Sequence, residues 1–456
     1  MNKALRLSAV AASVAALAAG SLTVGVAAHA ATCGSTTEIT MLGTIKPEIQ
    51  DQFLAAVDDY NASQSCYHLT SIPGDRSLTF LQNVTPMYAA HNAPTIMYTL
   101  QEIPNMADKV MNWDNQPLAK LVPANLKTAA TIGGHLKGVP STVEAFGLLY
   151  NKTVLDAAGV KVADINTRAK LEAAFKAVNA YYAGKSGKVP AGRGAVRFSS
   201  IWWSLGAHFT NIYFANAAAT HEGRLKVLDA LANGKKNLAA DPVFKNYLAT
   251  FNLLNKYNQH KPNTQDTEYS LAAADLSSGK TAFWFMGNWA EPTLLTNSPE
   301  SKFGVMPLPI SNNPKDASNK SISVGVPGYF MVDTVDNSAQ QQAGAVDFLT
   351  WLYTSSKGQH HVVDSVTKGG MGFIPVYKGT TVKPSTYMST VIAKFVGANN
   401  TLEWINTFYP AGGQDQYGAS GQKLMAHQIS GSAYAKELQN AWKGVPKTWR
   451  GESANP

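Results

Sequence analysis

The segment Gly138-Val-Pro-Ser-Thr-Val-Glu144-Ala-Phe-Gly-Leu-Leu-Tyr150-Asn-Lys152 predicts an extended stretch that continues into a strand at 144–150. A short helix at 152–158 should follow, and Gly159 can end it because glycine readily adopts the left-handed conformation. Strands that alternate with helices along the rest of the chain favour an α/β architecture with largely parallel sheets. The other strands are expected at 38–43, 67–72, 95–99, 281–286, 304–306 and 329–332, and the helices at 47–61, 81–90, 171–182, 242–257, 271–276, 339–353 and 434–442.

Composition and charge exclude several classes of protein. The chain has 456 residues, of which 45% are apolar and only 15% are charged, with 38 basic against 30 acidic residues. This length suggests two or three domains, and this apolar fraction rules out wholesale disorder. The net charge of +8 reflects a shortage of acidic residues, because basic pairs are scarce and Lys235-Lys236 is the clearest. Nucleic-acid binding, which requires clustered basic side chains, is therefore disfavoured.

The N-terminus has the pattern of a secretory signal peptide over residues 1–30. Lys3 and Arg6 precede an apolar, alanine-rich run at 7–26, and Ala28-His29-Ala30 forms a small-x-small cleavage site. The run is too weakly apolar to favour a membrane anchor. We therefore expect an exported protein located in the periplasm or at the extracellular cell surface.

The two cysteines leave three states open. Cys33 and Cys66 each precede a predicted strand, and the helix between those strands should make them parallel neighbours. An exported compartment permits a disulfide between the two residues, and this is the favoured state. A lipid anchor on Cys33 is a second possibility, although Ala30-Ala31-Thr32 matches a lipobox poorly, and free thiols are a third.

No motif predicts a metal or a cofactor. Residues 274–281 fit a relaxed phosphate-loop pattern, but the order is helix, turn and strand, which is the reverse of what such a loop needs. We interpret Gly279 as the end of a helix. His360, His361 and Asp364 lack a third ligand at a recognisable spacing, so a surface role is favoured for them.

The aromatic residues give the positive signal. Trp284 lies inside an apolar strand and should belong to the core, whereas Trp289 follows Gly287-Asn288 where that strand ends. A ring at the end of a strand lies at the edge of the sheet where α/β folds bind ligands. An indole can stack on the C–H face of a sugar ring while polar side chains bind the hydroxyl groups. The pattern therefore favours a carbohydrate over a phosphate or a metal.

Ordered segments over nearly all of the chain resemble extracellular solute-binding proteins of ATP-binding-cassette importers, in the group that binds sugars and oligosaccharides. Beyond the segment at 138–159, the resemblance covers Ser278–Trp289, residues 303–309, 323–329, 347–352 and 372–375, and the closing region at 422–425 and 433–442. It implies a two-lobe periplasmic-binding-protein-like α/β fold with interleaved lobes and a central ligand cleft. The N-terminal lobe would comprise 35–143 plus 326–369, and the C-terminal lobe 147–323 plus 372–456. Hinges would lie near 143–147, 323–329 and 365–372, and the lobes would close around the ligand.

The resemblance also implies a function and a set of binding residues. The protein would be a monomer without enzymatic activity that delivers a carbohydrate to the membrane permease of an importer. Glu144 would bind sugar hydroxyls, Trp289 would stack on a sugar ring, and Gly325 and Gly328 would bring backbone to the cleft. Weaker candidates are Thr44, Tyr98, Gln101, Glu102, and Tyr417 in a predicted polar loop at 411–421.

Two other functions remain open. A secreted glycoside hydrolase needs a pair of carboxylates whose spacing exists only in the fold. The candidates for that pair are Glu144, Glu268, Glu291 and Glu403. The same two-lobe fold could also bind a charged solute such as a polyamine, phosphate or iron, but no cluster of tyrosines and histidines and no anion-binding loop supports it.

Overall fold

The computed structural model describes residues 33–43, 46–75, 78–99, 102–260, 267–410 and 413–445. The predicted signal peptide lies outside these residues. Within them, no helix is long and apolar enough to cross a membrane.

Thirteen strands are present in the described part of the chain. They are β1 (Thr37–Gly43), β2 (Tyr67–Pro73), β3 (Ile96–Thr99), β4 (Thr131–Ile132), β5 (His135–Leu136), β6 (Val139–Pro140), β7 (Glu144–Asn151), β8 (Gly194–Arg197), β9 (Thr281–Gly287), β10 (Phe303–Met306), β11 (Ile322–Gly325), β12 (Tyr329–Val332) and β13 (Thr401–Glu403). The strands expected from the sequence are all found within one residue or so of their predicted ends.

Seventeen α-helices surround the strands in the same residues. They are α1 (Gln50–Ser63), α2 (Phe80–Ala89), α3 (Ile103–Met106), α4 (Pro117–Leu121), α5 (Lys152–Ala157), α6 (Arg168–Ala183), α7 (Thr210–Phe214), α8 (His221–Ala232), α9 (Pro242–Tyr257), α10 (Tyr269–Ser277), α11 (Glu291–Asn297), α12 (Ala317–Lys320), α13 (Ala339–Thr354), α14 (Ser356–Val363), α15 (Tyr387–Gly397), α16 (Gly413–Met425) and α17 (Gly431–Trp442). Gly279 follows α10 with φ of +69°, so it ends that helix as predicted.

Each sheet contains one strand that runs against the others. The first sheet has the order β2-β1-β3-β12-β6, in which β1 is parallel to β2 and β3, and β12 is antiparallel to β3 and β6. The second has the order β13-β11-β7-β9-β8, with β10 also paired to β7. Its central strand β7 is antiparallel to β9, β10 and β11, so the expectation of largely parallel sheets holds except for β7 and β12. The reason is that β7 enters the second sheet directly from the first, rather than after a helix that packs on the second.

We call the elements built on the first sheet the first lobe and those built on the second sheet the second lobe. The chain passes from one lobe to the other between Pro140 and Glu144, and it returns between Gly325 and Tyr329. These passages overlap the segments 143–147 and 323–329, whose role as hinges stays a prediction.

The third passage lies later than expected. The Tyr377 hydroxyl donates to the Pro140 carbonyl at 2.6 Å, and the Lys378 N–H donates to the Leu121 carbonyl at 2.9 Å, so this segment still packs on the first lobe. The next helix, α15, instead packs on β10 of the second lobe. We therefore place the passage between Val382 and Tyr387 rather than at 365–372, and residues 374–382 do not belong to the C-terminal lobe as predicted.

Each lobe has a packed core. Trp113, Tyr60 and Phe53 are almost fully buried in the first, and Tyr213, Tyr247 and Trp442 in the second. Trp284 is fully buried, which confirms its predicted place in the interior. A disulfide joins Cys33 to Cys66, immediately before the parallel pair β1 and β2. The enclosed segment includes Lys46 and the following turn, which form one wall of the cleft.

Candidate functional site

A pocket lies between the lobes at the edge of the second sheet. Its walls come from the turn before α1, the start of β7, the end of β9, the start of α11, and a segment that precedes the third passage. The described residues that line it are Lys46, Glu48, Ile49, Glu144, Asn288, Trp289, Pro292, Met371, Gly372 and Phe373. The side chains leave a volume of about 20 Å³, which is room for roughly one water molecule. At this point the two lobes touch one another through Lys46 and Glu144.

The sequence Gly287-Asn288-Trp289 builds one wall by a specific local arrangement. A Cβ added to Gly287 would lie 2.0 Å from the Trp289 ring, so only glycine lets the indole fold back over the end of β9. The buried Asn288 accepts a hydrogen bond from the Ala145 N–H at 2.7 Å, which ties this turn to the start of β7. Trp289 and Glu144 therefore reach the same pocket from neighbouring strands.

An aromatic cluster supports the Trp289 ring from behind. The ring centroid of Trp289 lies 4.7 Å from that of His208, 6.2 Å from Trp203 and 6.4 Å from both Phe146 and Trp404. Such contacts fix the plane of an indole, because rotation of the ring would break several edge and face contacts at once. Trp289 thus presents a rigid face toward the pocket.

His208 occupies an unusual position in this cluster. It lies in a π-helical turn, Ser204–Phe209, and such turns are frequent at functional sites. Burial, and then the nearby charge of Lys46, lower the pKa of its imidazole to about 3. The ring is therefore neutral at physiological pH, and its buried Nδ1 has no hydrogen-bond partner among the residues that the structure describes.

Lys46 contributes the charged contact between the lobes. Its ammonium group donates a hydrogen bond to Oε1 of Glu144 and lies 5.3 Å from the centre of the Trp289 ring. The side chain of Glu144 is 6% exposed, whereas that of Lys46 is 34% exposed. A carboxylate from one lobe and an ammonium from the other thus meet on the face of an indole.

The other predicted site residues do not line this pocket in the described part of the structure. Burial, and then the charge of Glu144, raise the pKa of the Tyr98 hydroxyl. Its ring fills the space beside Gly328, where a Cβ would lie 2.3 Å away, and Gly325 is covered in the same way by Trp404. Glu102 accepts a hydrogen bond from the Thr99 hydroxyl and does not line the described pocket. Thr44 and Gln101 lie outside the described residues.

The prediction for Tyr417 is wrong. Residues 413–425 form helix α16, not a polar loop, and Tyr417 is fully buried in the core of the second lobe. Its ring stacks on Phe214 at 6.1 Å and meets Tyr409 edge-on at 5.3 Å. The helix forms because its glycines allow close packing against the π-helical turn.

Sequence reasoning missed Lys46, His208, Trp203 and Trp404. Trp203 follows Trp202, which is 43% exposed, and nothing in this pair of tryptophans shows which ring turns inward. No local pattern marks Lys46 or His208, because each becomes significant only through residues more than 80 positions away.

The carboxylates considered for glycoside cleavage have structural partners. Glu403 accepts hydrogen bonds from Arg224 at 2.7 Å and from His221 at 2.6 Å, if its ring Nδ1 is protonated. Glu291 is buried against the start of α15, where Thr386 and the Met388 N–H donate to it. Among the described residues, no group of three or more histidine, cysteine, aspartate or glutamate side chains could hold a metal ion.

Comparisons with known proteins agree with this geometry. The family model for bacterial extracellular solute-binding proteins matches residues 80–359, and the proteins of this family bind solutes rather than transform them. None of the curated protein sequences matches the chain.

Solved structures show the same fold at low sequence identity. The solute-binding protein RafE in complex with raffinose is 14% identical, with a TM-score of 0.69 over 89% of this chain and 98% of that one. A sugar transporter from Bacillus licheniformis in complex with stachyose is 16% identical, with a TM-score of 0.65 over 89% and 98%. The cyclic α-maltosyl-1,6-maltose binding protein of Arthrobacter globiformis is 20% identical, with a TM-score of 0.61 over 90% and 99%. Because the family match spans more than half of the sequence, this two-lobe chain belongs to the bacterial extracellular solute-binding proteins.

Proposed function

We propose that this protein is exported and captures a carbohydrate, most suitably an oligosaccharide, between its two lobes for delivery to the permease of an ATP-binding-cassette importer. The protein acts as a receptor and performs no chemistry on its ligand. The alternatives that the calorimetry below separates are a secreted glycoside hydrolase and a protein of the same fold for a non-sugar solute.

The observation that carries the proposal is the rigid face of Trp289 beside the carboxylate of Glu144. The face of a sugar ring presents C–H groups that pack on an indole, and its hydroxyl groups donate hydrogen bonds to a carboxylate. Glu48 and Asn288 add further polar groups to the same pocket. An aromatic face with polar groups at its rim suits a carbohydrate.

Two further findings support the proposal. Structures with the same fold contain raffinose and stachyose, so a two-lobe architecture of this kind can enclose an oligosaccharide. The family is extracellular, which agrees with the signal peptide predicted at residues 1–30. Closure of the lobes would then give the permease a means to distinguish loaded from empty receptor.

Calorimetric titration tests the proposal. The chain from residue 31 onward is titrated with neutral mono- to tetrasaccharides, and the mixtures are then analysed for cleavage products. We expect binding of one ligand per protein with no new products. Cleavage would show a hydrolase, and binding of an amino acid, phosphate or iron complex without any sugar would overturn the carbohydrate proposal.

A further inference from the structure

The ammonium group of Lys46 occupies the pocket as a bound ligand would. It donates to the Glu144 carboxylate and lies over the Trp289 ring at 5.3 Å from its centre. A carboxylate together with an aromatic face is the arrangement by which proteins recognise ammonium ligands. The pocket therefore suits an ammonium group, which the protein's own Lys46 supplies here.

The charge of Glu144 also acts on a tyrosine from each lobe. The pKa of the Tyr98 hydroxyl, in the first lobe, is raised by burial and then by the charge of Glu144. That of Tyr269, in the second lobe, is raised by burial and then by the charges of Glu48 and Glu144. Among the described residues that line the pocket, Lys46 supplies the only cation.

The burial of the pair determines what can replace Lys46. Glu144 is 6% exposed, so removal of its partner leaves a nearly buried carboxylate without a counter-ion, which is costly. Lys46 is 34% exposed and follows β1 of the first lobe, so it leaves the pocket when the lobes separate and regains water. A neutral ligand in its place would satisfy the carboxylate only by hydroxyl groups. A ligand with its own ammonium group would restore both the ion pair and the contact with Trp289.

We propose that Lys46 holds the place of a ligand ammonium group, and that the carbohydrate captured by this protein carries at least one free amino group. This inference rests on the proposed function and names its ligand class. On closure, the amino group of the sugar pairs with Glu144, its ring stacks on Trp289, and Lys46 moves out into solvent.

The first test compares three β-1,4-linked series of equal length by calorimetry at pH 6: glucosamine, N-acetylglucosamine and glucose oligomers. We expect the glucosamine series to bind about tenfold more tightly than either neutral series, as a carboxylate and an indole together would require. Equal or weaker binding of the glucosamine series would overturn the inference while leaving the carbohydrate function intact. An aliphatic amine is the other source of an ammonium group, so spermidine is titrated in parallel. Binding of spermidine without any sugar would retain the ammonium site and overturn the proposed carbohydrate function.

Three variants test whether the preference for an amino sugar depends on the Lys46–Glu144 pair. Lys46→Met removes the internal competitor and should raise affinity for the glucosamine series about threefold or more, because the ligand ammonium group then relieves a nearly buried carboxylate that has lost its counter-ion. Glu144→Gln should abolish the preference for the amino sugar over its N-acetylated form. Lys256→Met is the matched control, because Lys256 pairs with Glu172 at 2.9 Å and lies 5.2 Å from the Tyr257 ring, outside the pocket. A weaker affinity of Lys46→Met for the amino sugar, with the control unchanged, would show that Lys46 binds the ligand directly and would overturn the inference.

Discussion

The position of Trp289 depends on a neighbouring glycine as much as on its own aromatic contacts. Its ring lies against the Cα of Gly287, where a methyl group would come within 2.0 Å of the indole. His208 and Trp203 pack on the other parts of the ring, so the indole cannot move aside without losing them. At the scale of single residues, the orientation of the indole face is thus set by Gly287, Trp289 and their aromatic neighbours together.

Trp289→Ala should weaken carbohydrate binding by more than about 1 kcal/mol, because a stacked ring is lost from the pocket. Calorimetry with the best ligand of the panel measures the change. Tyr181→Ala is the control, since Tyr181 is 48% exposed on α6 and does not line the described pocket. Wild-type affinity in the Trp289 variant would remove the stacking role.

Gly287→Ala should reduce the affinity for carbohydrate by a similar amount, although it removes no aromatic side chain. The added methyl group displaces the indole, so the fluorescence emission of tryptophan should also change. Gly397→Ala is the matched control, because a Cβ there meets nothing within 4 Å. Unchanged affinity and emission in Gly287→Ala would show that the ring adapts and that its orientation is not fixed by the glycine.

At the scale of elements, the sequence predicts what local patterns encode and misses what packing creates. The helix at 242–257 follows from its Asp241 cap, Pro242 and apolar spacing, and the structure confirms it. Helix α16 has three glycines and few apolar residues, which is typical of a loop. It forms because Gly418 and Gly421 contact Trp202 and Leu205, and because Gly206 lies against the Gln414 carbonyl, so two helical backbones pack almost directly.

The same distinction explains the candidate site. Glu144 begins one recognisable strand and Trp289 follows the end of another, positions that a parallel sheet would place at opposite edges. Only the antiparallel pairing of β7 with β9 brings the two residues to the same edge. Lys46 enters the pocket from the opposite lobe, and His208 enters it from a π-helical turn that no periodicity marks. Both placements depend on how the lobes and helices meet.

The contact between α11 and α15 contains a buried acid whose ionisation should affect stability. Burial raises the pKa of Glu291 to about 7, although Thr386 and the Met388 N–H donate to it and partly offset the effect. The folded protein therefore holds a proton that the unfolded chain, with a pKa near 4.5, releases more easily. The stability contributed by this group is fully present below about pH 4.5, falls as the pH rises, and levels off above about pH 7.

Glu291→Gln should remove this pH dependence, because the amide keeps the shape of the acid and never ionises. The variant should be more stable than the wild type at pH 8, by up to roughly 3 kcal/mol, and similar to it near pH 4.5. Urea unfolding at several pH values measures the difference. A constant gap between the two proteins at all pH values would contradict the raised pKa.

At the scale of the whole molecule, the space inside the pocket depends on how far apart the two lobes lie. The family fold and two lobe passages follow from the sequence, but the degree of closure does not, because it depends on contacts between residues far apart in the chain. The closed pocket leaves about 20 Å³, which is far below the several hundred Å³ of a typical ligand site. A ligand larger than a water molecule therefore fits this pocket only if its walls move apart, which would also take Lys46 away from Glu144.

Small-angle X-ray scattering should detect this motion. We expect the radius of gyration of the ligand-free protein to exceed that of the protein saturated with its best ligand, because the sugar links the lobes and stabilises the closed form. Lys46→Met should increase the ligand-free value further, since it removes a charged contact between the lobes. Trp289→Ala at a ligand concentration too low for it to bind is the control and should show no compaction. Identical scattering with and without ligand would show that the lobes do not move, and the sugar would then have to enter elsewhere.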